Sequence, residues 1–105
     1  MKREEFLIYY LLYAIDAAGI KKQNLVQMAL KTDAVNFVRV YNIIQHQDEA
    51  TRKSIITSNL NNFNKEEIIE EIKNGFLKDF EIEIQEAVVN ALTMVKNRKS
   101  LFKRI

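Results

Sequence analysis

Ten successive residues near the start of the chain, Phe6–Ile15 (FLIYYLLYAI), carry neither a charge nor a small polar side chain. A helix that is apolar on every side must be surrounded by other elements or by lipid. The run is well short of the roughly 20 residues needed to cross a bilayer, so it predicts a buried core helix and no membrane span. Lys2 and Arg3 ahead of it have the outline of a secretory leader, but Glu4, Glu5 and the tyrosines at 9, 10 and 13 do not suit one.

The rest of the chain has to enclose that helix. Its 105 residues contain no proline and two glycines, Gly19 and Gly75. Tight β-hairpins usually need glycine or Asn-Gly and Asp-Gly pairs at their turns, whereas helices tolerate this composition. The expected fold is therefore all-α. Residues 1–105 form one domain, a bundle of about five to six helices around the buried N-terminal helix. There are no cysteines, which removes disulfides, thiolate metal sites and thiol nucleophiles and agrees with a cytoplasmic setting.

Spacing places the helices. The first runs from near Lys2 to just before Gly19, with Glu4 and Glu5 complementing its dipole and Gly19 suited to the left-handed position past its end. Lys21–Leu30 is a short second candidate. Thr32 or Asp33 caps a third, along which Ala34, Val35, Phe37, Val38, Tyr41 and Ile44 form the predicted apolar stripe. A break near Gln47–Asp48 separates it from a helix bearing Ile55, Ile56, Leu60 and Phe63. Asn64, with Glu67 three residues on, matches a capping box for a helix that turns Ile68, Ile69, Ile72 and Phe76 inward and ends at Gly75. Phe80-Glu81-Ile82-Glu83-Ile84 alternates like a strand, but no partner strand is in reach, so it is expected to lead into a helix. That last helix, from about Glu83 to Lys99, buries Ile84, Ala87, Val88, Ala91, Leu92 and Val95.

A faint internal repeat lays Asp16–Leu30 over Asp79–Leu92 with one gap, pairing Ile20 with Ile82, Gln23 with Gln85 and Leu30 with Leu92. The same alignment is what two unrelated amphipathic helix starts give. A helix, a short acidic loop and a helix, twice over in a small all-α domain, also resembles the tellurite-resistance TerB-like proteins. Their loops read roughly Ala-Asp-Gly-x-Ile-x-x-x-Glu and are thought to hold metal ions. Asp79, Ile82 and Glu86 stand at matching positions, with Phe80 in place of the glycine. In the first half Ala17 and Asn24 replace the two acids, and Asp16 is one residue out. The resemblance implies the fold and a stress-response role; with most of the acids missing, it does not carry metal binding over.

Catalytic signatures are absent. His46 is the sole histidine and sits among Gln45, Gln47 and Asp48, as a solvated helix-end residue does. No second histidine or cysteine is present for a transition-metal site. There is no glycine-rich phosphate loop, and Ser54, Ser58 and Ser100 have no base signature nearby. The expectation is a chain that is not an enzyme, with no catalytic residues, no metal and no cofactor.

Charge is segregated. The formal net charge is +2, yet residues 47–95 carry five basic and ten acidic groups, and residues 96–105 carry five basic groups and no acid. Such segregation sets the long-range field. The basic end offers Arg98, Lys99, Lys103 and Arg104 beside an apolar anchor, Phe102, and is the expected partner-binding site. The alternative is the acidic face of Glu66, Glu67, Glu70 and Glu71, which repeats at helical spacing opposite Ile68, Ile69 and Ile72. Function is therefore read as protein binding by a small adaptor or inhibitor. A surplus of apolar side chains, the N-terminal tyrosines with Leu101, Phe102 and Ile105, adds a second copy of the chain as a partner. Nucleic-acid association through the basic end is the other reading.

Overall fold

The computed structural model describes residues 1–20 and 34–95, and all regular structure among them is helical. Five helices follow in order: α1 (Arg3–Ala17), α2 (Ala34–Gln45), α3 (Glu49–Leu60), α4 (Lys65–Ile72) and α5 (Ile82–Met94). A π-helical turn, Lys73–Leu77, prolongs α4. The expected helix at 21–30 and the whole basic end lie outside the described residues.

The apolar run behaves as its composition demands. Phe6 to Leu12 are all buried, as are Ala14 and Ile15, and α1 touches each of the other four helices. Because the apolar run leaves only Tyr13 partly open to water, the other helices form a shell around it and each need only one apolar stripe. Phe6 stacks between Tyr10 and Phe63, with ring centroids 5.6 and 5.1 Å away. Tyr9 and Tyr10 are hidden within the chain itself, so two of the three tyrosines expected to need a second copy have found cover in the monomer.

Local signals place the boundaries. Gly19 takes φ +70° past the end of α1, a conformation that costs glycine little. The break at Gln47–Asp48 is real: the Asp48 side chain accepts from the Thr51 amide and caps α3. That bond holds the Asp48 carboxyl below its usual range. The Asn64 side chain caps α4 by accepting from the Glu67 amide at 3.1 Å.

Three expectations need correction. The stripe on α2 is Phe37, Val40 and Ile44, while Val35 and Val38 are 80% and 52% exposed. Positions 37, 40 and 44 fall on the side of α2 that meets α1, with Tyr41 of the predicted stripe partly buried beside them. Gly75 does not end its helix, because the π turn carries the backbone on to Leu77, which is fully buried. Last, α5 stops at Met94 and not Lys99, with Val95 already extended.

Candidate functional site

The structure describes one of the two sequence-predicted surfaces. Arg98, Lys99, Phe102, Lys103 and Arg104 lie outside the described residues. Glu66, Glu67, Glu70 and Glu71 do share an exposed side of α4, opposite buried Ile68 and Ile72. Part of that face is already answered by the chain. Arg3, at the start of α1, pairs with Glu71, and the pairing holds the Glu71 carboxyl below its ordinary range. Lys73 approaches Glu70 at 3.9 Å, and Asn74 donates to the same carboxylate at 3.3 Å. Glu66 and Glu67 remain the more open members.

Beyond the acidic face, the π turn and α5 enclose an open groove of about 440 Å³. Lys73 stands on one side of it, and Ile82, Gln85, Glu86, Val89 and Asn90 line the other. Its most unusual member is Ile82, 71% exposed at the first position of α5. The strand-like alternation explains this. Residues two apart on a helix point about 200° apart, so Ile82 and Ile84 cannot both face the core. Ile84 packs against it and Ile82 is left outside. The alternation is the sequence signal for this groove, since a helix can bury only one of the two isoleucines.

The groove has firm walls. Gln85 donates its amide to the Phe80 carbonyl at 2.7 Å and to the Lys78 carbonyl at 3.4 Å, tying α5 to the chain that leads into it. At the other end of α5, Lys65 donates to the carbonyls of Thr93, at 2.8 Å, and Val95. Tyr10 donates to the carbonyl of Leu92. Carbonyls in the last turn of a helix have no intrahelical partner, so two side chains from elsewhere in the fold complete the end of α5. Glu83 lies one turn before Glu86 on the exposed side, and no described residue forms an ion pair with Glu81, Glu83 or Glu86.

A second polar cluster joins α1 to α3. Arg52 donates to the Gln47 carbonyl at 2.9 and 3.1 Å and pairs with Asp16 at 3.2 Å. Tyr9 donates to the Gln47 side chain. Burial pushes the Tyr9 and Tyr13 hydroxyls above their ordinary range. A cavity of only about 60 Å³ adjoins, floored by Leu12, Ile15 and Ile44. The donors of this cluster are spent within the chain, so it locks helices together and offers a ligand little. His46 is exposed at the end of α2. Among the described residues no three His, Cys, Asp or Glu side chains are grouped closely enough to hold a metal ion. None of the helices formed by the described residues is long and apolar enough to cross a membrane. No family model, curated protein or solved structure matches the chain.

Proposed function

We propose that this chain is a non-enzymatic, cytoplasmic protein-binding module of the adaptor or inhibitor kind. The observation that carries the reading is Ile82, a large apolar side chain 71% exposed at an open groove with a polar rim. Contiguous apolar surface rimmed by polar residues marks interaction sites, and half-buried Val89 continues Ile82 along the groove. Val35 and Met94 are exposed too, at 80% and 78%, but neither lines the groove. On the same reading the basic end, with Lys99 and Lys103, steers the encounter, since rim charges act mainly on association rate.

The test is photo-crosslinking in the native host. A photoreactive residue is placed in the full chain at Ile82, Glu67 or Lys99, one position at a time. A discrete adduct with another protein is expected at Ile82. Reversal of Lys99 and Lys103 to Glu then slows association with that protein by roughly tenfold at low salt. Absence of discrete adducts at all three positions refutes protein binding.

A further inference from the structure

Resting on the protein-binding reading, we infer that the groove between the π turn and α5 receives a basic amphipathic segment of the partner, one large apolar side chain flanked by Lys or Arg. Three features of the surface select that chemistry. The apolar component is small and sharply placed: Ile82 at the mouth and half-buried Val89 further along the groove. A single aliphatic or aromatic anchor fits between them, whereas a long apolar face has nothing to cover.

The charge around the groove is predominantly acidic, although Lys73 is one of its lining residues. Residues 66–86 hold eight acidic and two basic groups. Of the two lysines, Lys73 is paired with Glu70 at 3.9 Å. Glu83 and Glu86 point the opposite way in sign, along one exposed side of α5 and in no ion pair with a described residue. Cationic groups beside the anchor meet both.

The net acidic charge also disfavours a second copy as the occupant, because a two-fold contact brings the same patch of both protomers together. The Gln85 amide already serves the Phe80 and Lys78 carbonyls. The exposed amide of Asn90 stays available for the backbone of a docked segment.

Isotope-labelled full-length chain titrated with a synthetic Lys/Leu peptide, a single Leu flanked by Lys on both sides, and with a Glu/Leu peptide of identical pattern, tests the inference. The Lys/Leu peptide should saturate, moving amide resonances of residues 73–77 and 82–90, and should weaken by roughly tenfold or more as salt screens the pair. Paired reversal of Glu83 and Glu86 to Lys, and separately Ile82→Ser, should each weaken it at least about tenfold. These side chains are exposed, so well-dispersed spectra verify that the variants fold. Equal binding of the Glu/Leu peptide, or binding indifferent to both variants, overturns the inference. So do shifts at 82–90 upon dilution without peptide, which mean a second copy. If crosslinks form at Lys99 or Glu67 while the peptide fails to seat, protein binding stands and this occupant falls.

Discussion

Replacing Tyr10 by Phe isolates one hydrogen bond between the central helix and α5. Tyr10 is fully buried, and its ring stacks on Phe6 at 5.6 Å and 22°. Phe keeps that ring and its packing, so the change removes only the hydroxyl. The lost partner is the Leu92 carbonyl, two residues from the end of α5, where no later helical amide can take over. Leaving a buried acceptor unsatisfied costs about 1–3 kcal/mol, and the bond itself is worth about 0.5–1.5 kcal/mol net. A loss of about 1–2 kcal/mol is therefore expected, with an unchanged denaturant slope, from urea titration followed by circular dichroism. In a domain of this size that is roughly 4–8 °C in Tm for each kcal/mol.

The same variant has an alkaline signature. Burial holds the Tyr10 hydroxyl well above its ordinary 10.0 in the fold. The unfolded chain thus releases this proton first, so the native state binds more protons above about pH 10 and stability falls as pH rises. Below the unfolded value the contribution is fully present. Tyr10→Phe removes this component, and its stability should decline less steeply above pH 10 than that of the parent, although Tyr9 and Tyr13 retain theirs. A stability loss under about 0.3 kcal/mol, together with parallel alkaline curves, would refute the assigned bond.

Two further stability outcomes follow. Leu12 is 4% exposed within α1, so Leu12→Ala should cost about 2–5 kcal/mol in the same titration; a loss below about 1 kcal/mol would mean that α1 is not the centre of the core. The glycines should respond in opposite directions. A Cβ at Gly75 meets nothing within 4 Å and needs no positive φ, so Gly75→Ala should stabilise by about 0.4–1 kcal/mol, whereas Gly19→Ala, at φ +70°, should destabilise by about 1 kcal/mol or more. Like signs for the pair would contradict the π turn or the cap.

What could be read from residues alone was whatever depends on neighbours in sequence. Uniform apolarity over Phe6–Ile15 has one resolution in water, a helix enclosed on all sides, and α1 obeys it. Asp48, Asn64 and Gly19 act through bonds or dihedrals within a few residues, so their boundaries were legible. Glu66 to Glu71 were visible as an exposed face because the isoleucines beside them had to turn inward.

Tertiary structure decided everything that depends on which residues meet across the chain. Periodicity does not distinguish Val35 and Val38 from Phe37, and only the position of α1 selects Phe37, Val40 and Ile44. The end of α5 is set by Tyr10 and Lys65, which supply partners to carbonyls far away in sequence, a dependence that local propensity at Val95–Lys99 does not encode. Arg3 reaching Glu71 redistributes an acidic face that looked uniform. The groove is of the same kind. Ile82 belongs to an apolar alternation on paper, and it becomes an exposed anchor because packing accepts Ile84 and leaves no second place on that side of α5.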